Sequence, residues 1–356
     1  MFGFGGSKIK ESDILDALRT VQDPDLKKDL VTLNMIKDIK INDKSVSFTV
    51  ELTTPACPLK EKIETDCRNA VKEKFPQLEE IRINMTSSVA FSGFEKKMLS
   101  GVKNVIAIAS GKGGVGKSTV STNIALSLAS TGAKVGLLDA DIYGPTIPAL
   151  LDIHEQPEVT EQKKMIPIEK HGLKLMSIGF LLKGDEPLIW RGPMVAGVIQ
   201  QFLRDVEWGE LDYLIVDLPP GTGDAQLTLS QMIPLSGVAI VSTPEDVAMN
   251  IATKALSMFQ HLKVPILGII ENMSYFIAPD TGNIYHIFGH GGGKQASEKV
   301  GVRFLGEIPL DMAIRTGGDD GKPVVFYDSN SNQAKVFKEI AGNLAASLST
   351  EILASV

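Results

Sequence analysis

The pattern of apolar and polar positions after Lys103 alternates between two kinds of segment. Short apolar, β-branched runs are typical of parallel strands covered on both faces, and longer stretches with apolar positions three and four apart are typical of helices. The predicted strands are Val105–Ala109, Lys134–Asp139, Leu173–Ile178, Tyr213–Asp217, Val238–Ser242, Ile266–Glu271 and Phe304–Ile308, and the clearest predicted helices are Met194–Val206, Val247–Leu262 and Gln333–Leu348. This alternation predicts an α/β fold with a mostly parallel, doubly wound sheet.

The first part of the chain has a different pattern. Its predicted elements are a helix at Glu11–Thr20, strands at Ile36–Ile41 and Val46–Leu52, a helix at Leu59–Phe75 and a strand at Glu80–Met85. This order predicts a small α+β domain over residues 8–90. Residues 91–102 have weak periodicity and contain Gly93 and Gly101, so we expect them to form a linker to an α/β domain over residues 103–356.

A glycine-rich loop follows the first strand of the predicted α/β domain. It matches the phosphate-binding pattern G-x-x-x-x-G-K-[ST] in Gly111, Lys112, Gly113, Gly114, Val115, Gly116, Lys117, Ser118 and Thr119. In such a P-loop the backbone N–H groups cradle phosphates, the final lysine reaches the outer phosphates and the following hydroxyl binds Mg²⁺. The loop also fits G-x-G-x-x-G, with Asp139 spaced to meet a ribose hydroxyl of a dinucleotide. Lys117 and Ser118 favour a nucleoside triphosphate, because a dinucleotide needs neither group.

Carboxylates end two of the predicted strands. Asp217 closes an apolar strand, where a Walker B acid holds the Mg²⁺ shell, although an acid there also commonly caps a turn. The loop Pro219–Asp224 follows and has the glycines of a switch that orders around a terminal phosphate. Asp139 and Asp141 end another strand, which predicts Asp139 as a second group near Mg²⁺. Asp141 is then either the residue that positions the attacking water or a solvated turn acid.

Lys112 is a second lysine in a loop that needs only one. It is either a surface cation near the phosphates or a charge that reaches the phosphates bound by a partner subunit, as an arginine finger does. The second alternative makes the loop half of a site shared by a homodimer.

Composition narrows the class of protein. The 356 residues carry a net charge of −7, without the basic excess of a nucleic-acid-binding protein. Two cysteines argue against a disulfide framework and favour a reducing cytoplasm. No apolar run approaches 18 residues, so we expect a soluble cytoplasmic protein without a membrane partner.

The loop residues Lys112–Ser118 resemble the deviant Walker A of the SIMIBI NTPases, a class that includes MinD, ParA and the nitrogenase iron protein. That resemblance implies a P-loop fold that holds two ATP molecules in a face-to-face dimer. Further segments resemble the Mrp/ApbC iron–sulfur cluster carriers: Leu138–Pro145, Asp217–Asp224, Glu271–Ser274, Ile287–Gly292 and Ile308–Asp311. Two more resemble the MIP18-like domain that often precedes these NTPases: Asp23–Asp25 and Thr54–Pro58.

The resemblance implies a slow, client-coupled ATPase that uses Mg²⁺ and transfers iron–sulfur clusters to apoproteins or works with cluster-assembly proteins. It implies that Asn272 faces the adenine base, and that Asp141 and Asp217 serve catalysis and Mg²⁺. An alternative is a positioning or regulatory ATPase of the MinD/ParA type, which shares the same loop.

One departure affects the cargo. Carriers of this family usually have C-x-x-C after the Asn-Met-Ser segment, but residues 275–282 contain no cysteine. A cluster-free, ATP-switched adaptor is therefore an alternative to the carrier, since iron–sulfur clusters need thiolate ligands. Cys57 precedes a predicted helix whose N-terminus would stabilise a thiolate, so it is a candidate cluster ligand or an ordinary thiol. Cys67 lies within that helix and is expected to be a core residue.

Overall fold

The structure is a computed structural model that describes residues 9–91, 99–142, 144–181 and 192–354, with side chains at 192, 193, 195 and 246–252 left out of the description. Residue 8, most of the predicted linker (92–98), residue 143 and residues 355–356 lie outside it. The chain divides into two compact units, one of residues 1–90 with 353–356 and one of residues 91–352. Each unit is described by itself below.

The first unit is a small α+β fold. In chain order its elements are α1 (Glu11–Leu18), β1 (Gln22–Asp23), β2 (Lys28–Asp29), β3 (Ile36–Asn42), β4 (Ser45–Leu52), α2 (Lys60–Lys74) and β5 (Glu80–Ser87). Strand β4 pairs antiparallel with β3 and parallel with β5. Alternate residues of β4 are buried, so one face of this sheet carries the core against α1 and α2.

The second unit is built on one large sheet. The strands of this unit are β6 (Val102–Ser110), β7 (Val135–Asp139), β8 (Ile168–Lys170), β9 (Leu173–Ser177), β10 (Leu211–Asp217), β11 (Gly237–Ser242), β12 (Ile266–Glu271), β13 (Phe276–Ile277), β14 (Ile284–Tyr285) and β15 (Phe304–Glu307). Strands β13 and β14 pair only with each other and form a separate hairpin. Over the described residues the sheet runs β15-β12-β11-β6-β10-β7-β9-β8. Every pairing in it is parallel except that of β8 with β9.

Helices connect these strands. They are α3 (Lys117–Ser130), α4 (Ile147–Leu150), α5 (Gly192–Asp205), α6 (Asp224–Met232), α7 (Asp246–His261), α8 (Gly292–Val300), α9 (Met312–Asp319), α10 (Val324–Tyr327) and α11 (Asn332–Ala354). Every residue of β7 and β11 is buried. Because side chains alternate between the two faces of a strand, this burial requires cover on both faces of the sheet.

The strand order positions the candidate site. Strand β6 lies between β10 and β11, and the chain leaves β6 through α3 to reach β7 on the far side of β10. In open parallel sheets, ligands bind outside the carboxyl ends of the strands where the order of connection changes direction. The carboxyl ends of β6, β7 and β10 therefore mark the edge at which a ligand is expected.

The predicted α/β class is confirmed, and the differences are local. Strand β6 begins at Val102, so the last residue of the predicted linker belongs to the sheet. The hairpin β13–β14 and the antiparallel edge strand β8 were not predicted, because strands of two or three residues are too short to show periodicity. No helix in the described parts of the chain is long and apolar enough to cross a membrane.

Candidate nucleotide site

The P-loop connects the end of β6 to the start of α3. Gly114 and Gly116 both have φ of +79°, a left-handed conformation that glycine adopts without a steric penalty. Gly116 is the N-cap of α3 and has no side chain to satisfy the first helical N–H groups. Unsatisfied N–H groups at a helix N-terminus favour an anion. The sequence-predicted loop thus has the backbone of a phosphate site.

Lys117 and Asp217 form a buried ion pair at the base of this loop. Lys117 Nζ lies 2.7 Å from Asp217 Oδ2, with the two side chains 6% and 0% exposed. Ser118 Oγ donates to the same Oδ2 at 2.6 Å. The structure therefore brings together the lysine, hydroxyl and carboxylate that were predicted from separate segments.

Asp139 lies beside Asp217 because β7 and β10 are paired in register at these two residues. Its Oδ2 accepts hydrogen bonds from Ser177 Oγ at 3.0 Å and from the Ile147 backbone N–H at 3.3 Å. Burial, and next the charge of Asp217, raise the pKa of Asp139 to about 7, although Lys117 opposes the shift. Two carboxyl groups thus meet at the carboxyl ends of adjacent strands.

These oxygens fit a magnesium ion. Hard oxygen donors from one or two carboxylates and a hydroxyl are the ligands that Mg²⁺ takes in phosphate-binding sites. Ser118 Oγ and Asp217 Oδ2 are already within 2.6 Å of each other.

Asp141 lies two residues beyond the end of β7 and is partly buried. Its backbone N–H donates to Asp139 Oδ1 at 3.1 Å. Its carbonyl accepts a hydrogen bond from the backbone N–H of Gly144. The structure therefore places Asp141 at the same sheet edge as the P-loop network, and its role in positioning water stays a prediction.

Lys112 has a partner in its own chain. Its Nζ lies 3.6 Å from Oε2 of Glu245, which directly precedes α7. Thr243 Oγ1 donates to the same carboxylate oxygen. Glu245 had no signal in the sequence, because it is far from the P-loop along the chain and lies in no recognised motif.

Asn272 is bound to the P-loop. Its Nδ2 donates to the backbone carbonyl of Val115 at 2.8 Å, and the residue is 7% exposed. A Cβ on Gly116 would come within 2.3 Å of that Nδ2. Asn272, which the resemblance assigns to the adenine base, therefore packs on the P-loop, which is assigned to the phosphates.

A cavity of about 510 Å³ opens beside this contact. Its lining includes Gly116, Thr119, Asn272, Phe276, Met312 and Arg315. This volume and mostly apolar wall are typical of sites that enclose a small molecule. The sequence analysis did not identify the α9 residues as part of a binding site, because their place in this wall depends on where α9 packs.

Glu271, which precedes Asn272, is fully buried at the end of β12. Its Oε1 accepts a hydrogen bond from Ser274 Oγ at 2.6 Å, and its Oε2 accepts one from the backbone N–H of Gly293 in α8. The carboxylate therefore ties the start and the end of the segment that contains the hairpin β13–β14.

The hairpin occupies the segment in which the thiolates were sought. Ile277 and Ile284 are paired across β13 and β14 and are 50% and 58% exposed. Ala278 is buried, and its N–H donates to the carbonyl of Asn283. This part of the chain therefore has an apolar surface and no side chain that suits an iron–sulfur cluster.

The two cysteines lie in the first unit. Cys67 is buried in the core, and its pKa is raised to about 12, chiefly by burial. Burial also raises the pKa of the partly buried Cys57, with Asp23 and Asp25 adding to the effect, whereas a hydrogen bond from the Leu59 backbone lowers it. The backbone at the start of α2 does favour the Cys57 thiolate, but burial has the larger effect on the pKa. The role of Cys57 as a cluster ligand stays a prediction.

Two family models match the chain. Residues 101–345 match the family described as NUBPL iron-transfer P-loop NTPase, and residues 11–85 match the family described as iron–sulfur cluster assembly protein. The division between the matches agrees with the two units of the structure. The resemblance inferred from the motifs is confirmed over both parts of the chain.

Individual proteins give the same result. The chain is 50% identical over 347 residues to the iron–sulfur cluster carrier protein of a Synechocystis strain, covering 96% of this chain and 98% of that one. A nucleotide-binding protein from Archaeoglobus fulgidus, solved with ADP, matches with a TM-score of 0.60 and 39% identity over 68% of this chain and 95% of that one. The cell division ATPase MinD of Pyrococcus furiosus, at 22% identity and a TM-score of 0.52 over 67% of this chain and 97% of that one, shares the fold. The chain belongs to the NUBPL iron-transfer P-loop NTPase family.

Proposed function

We propose that this protein binds and hydrolyses ATP with Mg²⁺ and carries iron–sulfur clusters to client apoproteins, working in the cytoplasm as a homodimer. The observation that carries the nucleotide part is the buried contact of Lys117, Ser118 and Asp217 at the P-loop. The cargo part rests on the family and on the relative that is named an iron–sulfur cluster carrier protein.

The residues divide the work of phosphoryl transfer. Lys117 breaks its ion pair with Asp217 and neutralises the outer phosphates, and Ser118, Asp217 and Asp139 would hold the metal. Mg²⁺ bound there supplies positive charge that offsets the charge of the phosphates. Asp141 orients the attacking water from the end of β7. Little more than positioning and charge compensation is needed, because phosphoryl transfer requires no covalent intermediate with the protein.

The base contact favours adenine. Nδ2 of Asn272 donates one of its two N–H groups to the carbonyl of Val115, so the amide still offers one N–H donor and the acceptor Oδ1. A donor and an acceptor on one amide match the ring-nitrogen acceptor and the exocyclic amino group of adenine, whereas guanine presents two acceptors at the same edge. The proposal therefore includes a preference for ATP over GTP.

Lys112 belongs to the dimeric part of the proposal. In the resting chain its charge is held by Glu245. In the ATP-bound homodimer it leaves that carboxylate and compensates the phosphates bound by the other subunit, in the manner of an arginine finger. This role explains why the loop has a lysine in addition to Lys117.

The cargo must be held with few thiolates. The chain contains two cysteines, and Cys67 is a core residue with a pKa of about 12, so Cys57 is the thiol that remains for a cluster. Two copies of Cys57 supply fewer thiolates than a four-iron cluster uses. The proposed cluster is therefore completed by groups from a client or an assembly protein.

A second candidate is a cluster-free adaptor whose first domain recruits a client and whose second domain is the ATP switch. The observation that favours it is the cysteine-free hairpin segment, in which Ala278 is buried. The two functions share the same nucleotide site and differ in whether iron and sulfide are bound.

Anaerobic reconstitution with iron and sulfide separates the two candidates. We expect wild type to bind iron and sulfide with the absorbance of a cluster, Cys57→Ala to lose them, and the control Cys67→Ala to keep them where it folds. If wild type binds no iron, the carrier function is rejected in favour of the adaptor function. Equal binding by wild type and Cys57→Ala would place the ligands elsewhere.

The nucleotide part has its own test. We expect Lys117→Ala to abolish ATP binding in titration calorimetry, because the outer phosphates lose their cation. Lys335→Ala, a change on α11 outside the site, serves as the control and retains binding. Binding of ATP by Lys117→Ala with unchanged affinity would reject the P-loop assignment.

A further inference from the structure

Ser121 completes the hydrogen bonding of Asp217. Its Oγ lies 2.6 Å from Asp217 Oδ1, while Ser118 Oγ lies 2.6 Å from Oδ2. Ser121 and Asp217 are both fully buried. Each oxygen of the carboxylate thus has its own hydroxyl donor, and both donors come from the first turns of α3.

The proton of Ser121 has two acceptors within reach. Its Oγ also lies 2.9 Å from the carbonyl of Lys117, the residue four positions earlier in the helix. Serine hydroxyls in helices commonly donate to that carbonyl. A hydrogen bond to an ionised carboxylate is stronger, and 2.6 Å lies within its usual range. The carboxylate is therefore the main acceptor.

This arrangement fixes the carboxylate about its last rotatable bond. With Oδ1 held by Ser121, Oδ2 is directed to Ser118 Oγ and Lys117 Nζ. We propose that Ser121 is a positioning residue of the magnesium site, which sets the orientation of Asp217 without itself contacting the metal. The proposal rests on the proposed function, because it assigns Asp217 to Mg²⁺.

The pattern G-x-x-x-x-G-K-[ST] does not include this position. Ser121 lies three residues beyond Ser118 and one helical turn beyond Lys117, so it faces the same end of β10 as the loop. Its role depends on Asp217, which comes from a strand 96 residues later in the chain. The local pattern alone therefore gives no reason to select it.

The chain contains a matched control on the same helix. Ser127 is 1% exposed, and its Oγ donates to the carbonyl of Asn123, four residues earlier, at 2.7 Å. Ser121→Ala and Ser127→Ala remove the same atom and the same type of backbone hydrogen bond. Only the first change also removes a donor to Asp217.

The experiment measures metal binding without turnover. Fluorescently labelled ADP is titrated into full-length wild type, Ser121→Ala and Ser127→Ala, once with Mg²⁺ and once with EDTA, and Mn²⁺ binding in the presence of ADP is followed by electron paramagnetic resonance. We expect Ser121→Ala to lose about tenfold of the Mg²⁺-dependent gain in ADP affinity and to bind Mn²⁺ about tenfold more weakly. ADP affinity in EDTA is expected to stay within about twofold of wild type, and Ser127→Ala to match wild type throughout.

Two further variants keep the test decisive. Ser121→Thr retains a hydroxyl and is expected to retain most of the Mg²⁺ dependence. Ser121→Cys preserves the volume but has a weak donor, so it replaces Ser121→Ala if that protein does not fold. Equal effects of Ser121→Ala and Ser127→Ala, with wild type normal, would overturn the assignment of Ser121 alone. Wild type without any Mg²⁺-dependent ADP binding would instead overturn the proposed function.

Discussion

Lys112 and Glu245 form an ion pair of 3.6 Å in which both side chains are about one-third exposed (35% and 36%). Burial alone would raise the pKa of Glu245, but the hydrogen bond from Thr243 and the charge of Lys112 hold that pKa below its ordinary value. Glu245 is therefore ionised at neutral pH. The lysine that we assign to the partner's phosphates is held by a carboxylate of its own chain.

Glu245→Gln should strengthen ATP-dependent dimerisation. The change removes the charge that Lys112 must leave, and a partly exposed ion pair is worth up to about 1 kcal/mol, so the dimer dissociation constant is expected to fall roughly two- to fivefold. Sedimentation with bound ATP measures it, with Glu298→Gln on α8 as an exposed control. If Glu245→Gln and Glu298→Gln dimerise alike, Glu245 does not restrain Lys112.

Asp141→Asn should separate binding from turnover. The amide cannot accept a proton or orient water as the carboxylate does, so ATP turnover is expected to fall about 100-fold or more, whereas ATP affinity stays within about twofold. Phosphate release and titration calorimetry give the two quantities. Asp280→Asn, a change of an exposed acid in the hairpin segment, is the control. Turnover equal to wild type would show that the catalytic assignment is wrong.

Asp139 makes stability without metal depend on pH. Its folded pKa of about 7 lies above the ordinary 3.8, so the unfolded chain ionises first as pH rises. The free energy of unfolding therefore falls between about pH 4 and pH 7, and the full loss is present above pH 7. Asn at this position cannot ionise. We expect urea unfolding in EDTA to show that the stability of Asp139→Asn relative to wild type rises by roughly 2–4 kcal/mol from pH 4 to pH 8.

One result of the urea unfolding experiment would contradict this pH dependence. A constant difference between Asp139→Asn and wild type across the whole range would mean that the carboxyl group titrates normally in the folded protein. Ser177→Ala removes one donor to Asp139 and is expected to shift the same transition to higher pH, because the hydroxyl lowers the pKa.

Gly114→Ala and Gly116→Ala form a matched pair, because both glycines have φ of +79°. A Cβ at Gly114 meets nothing within 4 Å, but one at Gly116 comes within 2.3 Å of Asn272 Nδ2. Each change should cost about 1 kcal/mol of stability for the left-handed backbone, and Gly116→Ala about 1–2 kcal/mol more, since Asn272 loses its bond to Val115. Chemical unfolding without nucleotide measures the difference. Equal losses would mean that Asn272 moves aside without cost.

The nucleotide site was largely predictable because its parts are local. A glycine-rich loop between an apolar strand and a helix identifies Lys117 and Ser118, and an acid at the end of a buried strand identifies Asp217. The resemblance supplied Asn272, and the structure places it on the P-loop. The strands of the large sheet other than β8 were found for the same reason, since they are short, mostly apolar runs.

The contacts that could not be predicted are those that depend on the order of the strands or on residues far apart in the sequence. Asp139 and Asp217 were both predicted near Mg²⁺, but the pairing of β7 with β10 that makes them neighbours is not stated by any local pattern. Ser177 joins them only because β9 pairs with β7. Glu245 meets Lys112 although the two residues are far apart in the sequence. The net rise in the pKa of Cys57 was not foreseen, because a helix N-terminus can be seen in the sequence, whereas the burial of the thiol cannot.

The buried carboxylate of Glu271 holds both ends of the segment from Asn272 to Gly293 through Ser274 and Gly293. The hairpin between them is therefore an insertion closed at its base, and its sequence contributes little to the large sheet. Residues within it can therefore change without altering the hydrogen bonds of Glu271 that close its base. A cysteine-containing hairpin transplanted from a relative onto this base should fold with the second unit intact.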